Sequence, residues 1–458
     1  MRDFLKRKSS LLALAVLTAC SAPAPQSNPT RSILADNTLP PIKAFTAAKP
    51  AATQRSNSDM AQDFLDLAFS LESGRNLSHF TRFDTPIRVK VQGRNTATLR
   101  SDLKQLLGRL RAEAGLDILQ VSQGSAQITI HSVAKKDIRQ ALPHAACFVV
   151  PNVDSLSDYR RSKNAPKTDW IALKKRKKLA IFLPFDTSPQ DVRDCLHEEL
   201  AQALGPLNDL YRLNDSVFND DNFHTVLTSF DMLMLRVHYD PRLQNGMSRE
   251  AVAQRLPEIF ARLNPKGASN ATAHVSPTPR EWINSIQYAL GPSTPNARRL
   301  SEAQNAIDLA KQYGWSDHRR GFSHYALARL LKRRHPDLSY AHYLWADKFF
   351  GQSAAQGPHR PQVAAELAAF AIANGDATSA LSLIQANLPA AHKFENAVLL
   401  SSLLLLKSEA LAMMGEMGAA QQAHLDSLGW ARYGFGPEWA VRAKQREVAA
   451  LNPHNRSF

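Results

Sequence analysis

Two stretches of this 458-residue chain align with each other at an offset of forty residues: Ala368 with Ser408, Gly375-Asp376 with Gly415-Glu416, and Ala380 with Ala420. In each the order is a small residue, then glycine, then alanine five positions on. Small side chains at those spacings let two helices approach closely, so the repeat confines this part of the chain to a stack of helix pairs. Two copies are too few to bury a continuous core. Flanking helices are therefore expected over 296–349 and near 440–451 as caps, and a further copy at 328–346 is displaced by one residue. The apolar run 399–406 belongs to this array as a buried helix, because Lys407 and Glu409 stop it far short of the roughly 20 residues that cross a bilayer.

A segment rich in Gly, Ser, Thr, Asn and Pro at 265–279 separates the array from a different pattern. Helical spacing begins at Met60 and continues through Phe64, Leu65, Leu67, Ala68 and Leu71. Ile87, Val89 and Val91 alternate with charged residues and predict a strand, and Leu99, Leu103, Leu106, Leu107 and Leu110 mark an amphipathic helix over 97–114. Short alternating runs at 118–121 and 126–130 read as strands paired across a Gly-Ser turn. Strands at 147–150 and 179–183 complete a small mixed sheet. A helix over 189–204 follows, with Gly205 expected to end it through its freedom at positive φ.

At the start of the chain, Arg2, Lys6, Arg7 and Lys8 precede the apolar run 11–17 and then Leu17-Thr18-Ala19-Cys20. A basic stretch, a short apolar stretch and small residues before a cysteine make a signal peptide over 1–19. The pattern resembles bacterial lipoproteins, which implies lipidation of Cys20. Ser21, a non-acidic residue after the cysteine, implies the outer membrane and its periplasmic side. Export places Cys147 and Cys195 in an oxidising compartment, where a disulfide between them is expected. It would close a loop of about fifty residues and stabilise the fold by about 2–4 kcal/mol.

The formal net charge is +15, about +12 once the four basic residues and one acid of the leader are removed. A basic exported chain meets anionic lipid and cell-wall polymer first. The densest run, Lys174-Lys175-Arg176-Lys177-Lys178, reads as a solvated loop entering the strand at 179. No zinc knuckle and no interleaving of aromatic and basic residues points to nucleic acid.

Chemistry is suggested only by the run from Cys195 to Asp209. Glu198-Glu199-x-x-Gln202-x-x-Gly205-x-x-Asn208 places Glu198 and Gln202 one turn apart on one helix face, with Glu199 beside them. The spacing resembles the active-site helix of zincin peptidases in its extended metzincin form, where His, Glu and His are followed by Gly and a third His. Glu, Gln and Asn stand where histidines are expected. The resemblance makes Glu199 the candidate base and Glu198, Gln202 and Asn208 or Asp209 the candidate ligands of a divalent metal. Oxygen donors suit calcium, magnesium or manganese better than zinc, and a site with no metal is the other reading. Asp231-Met232-Leu233-Met234, with Tyr239-Asp240-Pro241, is similar to the methionine-turn region of matrixin-like enzymes. His197 reads as a structural imidazole, and His224 and His238 are candidate replacement ligands.

Together with Phe218-Asn219-Asp220, these residues closely resemble an uncharacterised proteobacterial lipoprotein family, known only as a domain of unknown function (2927). The likeness covers most of 60–262 and implies a zincin-like fold and secretion. The expected fold class is α+β: a zincin-like mixed sheet with its active helix, followed by an all-α tetratricopeptide-like helical repeat domain. The expected divisions are a disordered tether over 20–57, the zincin-like domain over 58–263, a linker over 264–280 and the repeats over 281–458. Two functions follow as expectations. One is a membrane-anchored binding protein that takes a protein or peptide partner on its repeats. The other is a metal-dependent peptidase or other hydrolase using Glu199.

Overall fold

In the computed structural model, residues 39–45, 53, 55–272, 275–292, 294–352 and 357–456 are described. The leader expected over 1–19 and Cys20 lie outside them. Among the described residues there are five strands, β1 (Ile87–Gly93), β2 (Ile118–Gln120), β3 (Ile128–Val133), β4 (Phe148–Pro151) and β5 (Leu179–Pro184). Their order is β2-β1-β3-β5-β4, and only β4 runs antiparallel to its neighbour. β5 is buried at every position, as a strand covered on both faces must be.

β2 and β3 do not pair with each other, contrary to the hairpin expected from sequence. Both lie parallel to β1, on opposite sides of it. β2 pairs with Ile87, Arg88 and Val89, and β3 with Val89 to Gly93. The chain thus leaves one strand and enters the other at the level of Val89, and the short segment 121–127 need only cross about 10 Å of sheet.

Around the sheet lie α1 (Asn57–Ala68), α2 (Ala97–Glu113), α3 (Lys135–Ala141), α4 (Leu156–Ser162), α5 (Pro189–Leu204), α6 (Ser229–His238), α7 (Arg249–Ala253) and α8 (Leu256–Leu263). One apolar core joins Phe64 of α1, Leu103 of α2, Ile130 and Ile181 of the sheet, Leu200 of α5 and Phe260 of α8. Met232 and Met234 belong to this core on helix α6, not on a turn as the matrixin likeness implied.

Beyond 279 the chain is helical: α9 (Arg280–Leu290), α10 (Asn296–Gln312), α11 (His318–Leu331), α12 (Pro336–Gly351), α13 (His359–Ala373), α14 (Ala377–Lys393), α15 (Ala397–Met413), α16 (Met417–Phe435) and α17 (Glu438–Ala449). The forty-residue repeat falls on the pairs α13–α14 and α15–α16. Gly375 and Gly415 adopt φ of +80° and +81° at the two turns, a conformation that costs a side chain dearly. Ala368, Ser408, Ala380 and Ala420 are buried, and Ser408 Oγ donates to the Ala420 carbonyl at 2.8 Å. Among the described residues no helix is long and apolar enough to cross a membrane.

The described residues from Pro40 onward form one compact unit. Tyr211 and Phe223, from the loop between α5 and α6, enter an apolar cluster with Trp282, Phe322, Tyr325 and Phe350 of the helical array. Within the stretch expected as tether, Phe45 is buried and stacks on Trp430 with ring centroids 4.5 Å apart.

Candidate functional site

Helix α5 is positioned at both ends and along its length. Ser188 caps its start by accepting from the Asp191 amide at 3.1 Å, and Pro189 supplies a preset φ in the first turn. Cys195 is disulfide-bonded to Cys147, whose Cα lies 5.9 Å away just before β4. Gly205 ends the helix, but with φ of −160°, so positive φ is not what requires glycine there. A Cβ at Gly205 would lie 3.0 Å from the His238 ring, and that close approach is the reason. Arg176, expected in a solvated loop, is instead buried. It donates to the carbonyls of Gln202 and Ala203 at 2.6 and 2.8 Å and of Gly205 at 2.5 Å, satisfying the acceptors a helix end leaves open. Lys175 pairs with Asp84 and Lys178 with Asp154, so much of that basic run is answered locally.

The helical array holds the opposite side of α5. Arg193 forms a buried ion pair with Glu395, and Gln190 Oε1 accepts from the Ala397 amide at 2.9 Å. Nearby, Tyr433 of α16 donates to Asp102 Oδ2 of α2 at 2.7 Å.

Glu198 and Glu199 lie in the middle of this clamped helix. Glu198 is half-buried, and burial, then the charges of Glu72 and Asp220, push its carboxyl up to about 7. Glu199 is 5% exposed, and burial and the neighbouring Glu198 and Glu72 push it well above the carboxylate range. Among the described residues its Oε2 has no hydrogen-bond partner. Gln202 Nε2 donates to Glu72 Oε1 at 3.3 Å. Asp209 is also drawn to this group: burial and the charges of Glu72, Glu198 and Asp220 raise it strongly, its side chain is hydrogen-bonded to Glu72, and its Oδ1 is unpartnered. Asn208 turns away, its Nδ2 donating to the Asp66 carbonyl at 3.0 Å.

The loop that follows α5 completes the group. Tyr211 donates its hydroxyl to Asp220 Oδ2 at 2.9 Å, and Gln287 of α9 also bonds that carboxyl. Burial outweighs both bonds and, with Glu72 and Asp221, holds Asp220 up at about 6. Glu72, Tyr211 and Gln287 are the members sequence reasoning missed. Glu72 sits in a turn before Gly74, where an exposed acid carries no periodic signal. Asp220 entered only as part of the family likeness.

The histidines lie elsewhere. His197 is buried, its Nδ1 accepting from the Leu227 amide at 3.1 Å. His238 Nε2 bonds the Thr81 carbonyl and His224 Nε2 the Asn214 carbonyl, each at 3.0 Å, so neither offers that nitrogen to the carboxylates. Among the described residues, no three His, Cys, Asp or Glu side chains converge in a set able to hold a metal ion. The arrangement brings Glu198, Glu199, Gln202 and Asp209 together with Glu72 and Asp220. Chemically it is a set of crowded carboxyls in which burial and mutual repulsion favour the protonated forms.

An α+β domain with a five-stranded mixed sheet, its buried helix α5 carrying that cluster, is thus the unit that defines the site. Residues 57–258, which span this domain, match a family described as a protein of unknown function (DUF2927). No curated protein matches the chain.

Proposed function

We propose that this is an exported lipoprotein of the bacterial cell envelope, anchored through Cys20 in the outer membrane and facing the periplasm. In this reading its zincin-like domain has exchanged metal hydrolysis for binding, and its tetratricopeptide-like array presents a protein or peptide partner surface. The observation that supports it most directly is the use of the amides on and after α5. Gln202 and Asn208 stand where the zincin likeness has histidines, and both present N–H groups to protein oxygens, Glu72 and the Asp66 carbonyl. A catalytic zinc requires three donors within about 2.0–2.3 Å of one point, each offering a lone pair.

A second reading draws on Glu199, whose buried, unpartnered Oε2 is what a general base would offer. It is a metal-dependent hydrolase acting on peptide or cell-wall peptide, with Glu198, Gln202 and Asn208 or Asp209 as ligands. Elemental analysis of the purified full-length protein, with melting curves in zinc, calcium and manganese, separates the two. The binding reading expects no stoichiometric metal and no metal-dependent rise in melting temperature. A bound metal whose chelation lowers the melting temperature and abolishes peptide cleavage would overturn it. The anchor is tested apart, since C20S should move the protein from the membrane to the soluble fraction.

A further inference from the structure

We infer that the face of α5 bearing Glu198 and Glu199, together with Glu72, Asp209 and Asp220, is a binding site for a protonated amine. The inference deepens the binding reading above and rests on it.

The chain has 56 Lys and Arg against 41 Asp and Glu, and several buried acids elsewhere meet a cation, while buried Asp231 accepts from Ser216 Oγ and the Val217 and Thr228 amides. Asp63 meets Arg55 and Arg212 at 3.0 Å each, Asp221 meets His359 at 2.8 Å, and Glu395 meets Arg193. In the α5 cluster the charges acting on Glu198, Glu199 and Asp209 are those of other acids. Arg176 and Arg280, guanidinium groups bonded to cluster residues, do not meet the carboxylates: Arg176 donates to the carbonyls at the end of α5 and to the Thr81 hydroxyl, and Arg280 to the Glu72 carbonyl at 3.0 Å. Among the described residues this concentration of acids has no cation of its own, and when ionised it lacks a counter-charge.

A separate observation points to what is missing. Glu199 is 5% exposed, and its Oε2 has no partner; Asp209 Oδ1 is likewise unpartnered. A buried acceptor left without a donor is costly, most of all when ionised, so an occupant that brings both N–H hydrogens and positive charge completes the group. A metal ion brings no hydrogens and needs donors at one point, and no three of these acids converge in such a set. An ammonium group carries three donors on one charge and reaches acceptors at about 2.7–2.9 Å in different directions. Glu72, in the turn after α1, is the exposed member of the group.

The groups facing an entering amine are Glu198, Glu199 and Gln202 from α5, Asp209, Tyr211 and Asp220 from the following loop, Glu72 from the turn after α1, and Gln287 from α9.

The test is calorimetric titration of the full-length protein near neutral pH. The titrants are spermidine, a short neutral peptide with one lysine, the same peptide with that lysine acetylated, and calcium chloride. Saturable binding of spermidine or of the lysyl peptide is expected. Binding of spermidine alone identifies a free polyamine as the ligand, and binding of the lysyl peptide alone identifies a lysine side chain. E198Q and D209N should each weaken it about tenfold or more, while E438Q, distant on α17, should not. D220N serves if either variant fails to fold. No binding by either amine, equal binding of the acetylated peptide, saturation by calcium in preference to both, or full binding by the folded variants would overturn the inference. A metal-free protein that binds no amine sinks this inference alone, whereas a stoichiometric metal sinks the reading beneath it.

Discussion

Arg193 and Glu395, 202 residues apart in sequence, meet as a buried ion pair between α5 and the helical array. Their side chains are 5% and 3% exposed, so neither charge has water to fall back on. Removing one partner strands the other, a change that costs about 3–5 kcal/mol. R193M should therefore lower the free energy of unfolding in urea by that amount. The double variant R193M/E395Q, which leaves no charge behind, should recover part of the loss.

Glu198 makes stability depend on pH with a definite sign. Its folded carboxyl titrates at about 7, above its unfolded value, so the folded state holds the proton more tightly. That contribution is fully present below the unfolded value near 4.3 and is lost as pH rises through the folded value. E198Q cannot lose a proton there. Its melting temperature should exceed that of the parent protein at pH 8, and the difference should shrink toward pH 5. Thermal scans across that range decide it, and a difference that grows toward acid would refute the assignment.

The Cys147–Cys195 bridge spans a sequence separation of 48 residues and ties the approach to β4 to the middle of α5. C147A/C195A should lose about 2–4 kcal/mol of stability. Chemical denaturation of the variant, beside the parent protein with and without reductant, measures it. The reduced parent and the variant should agree.

Gly205 is constrained by the His238 ring, from which a Cβ would lie 3.0–3.3 Å. G205A should cost about 1–3 kcal/mol through overpacking, since His238 is also held by Thr81. Combining G205A with H238A should cost less than the sum of the two changes. An additive double-mutant cycle would show that the ring is not the obstacle.

Local patterns carried far in this chain, and long-range partnerships did not. The small-residue repeat at Ala368, Ser408, Ala380 and Ala420 was legible because helices adjacent in sequence make that contact. Alternation located β2 and β3 but could not name β1 as their common neighbour, since period-two patterning encodes a face and not a partner. Arg176 was hidden inside a run of like charges, where composition suggests solvent and only the end of α5 supplies the carbonyls that bury it. Glu198, Glu199 and Gln202 could be placed on one helix face from their spacing alone. Glu72 and Gln287 could not, because a loop acid and an array amide share no sequence relation with α5.

The bond from Tyr433 to Asp102 spans 331 residues, and beside the Arg193–Glu395 pair it sets a schedule on the polypeptide as it is made. A ribosome releases Asp102 and Arg193 long before it has built residues 395 and 433. Until then Arg193 and Asp102 have only each other, 4.0 Å apart, and closing such long loops is slow. The N-terminal portion therefore waits in a sticky, incompletely packed state until the last helices arrive, and a chain truncated before α16 should be a substrate for holding chaperones and proteases rather than a smaller working protein.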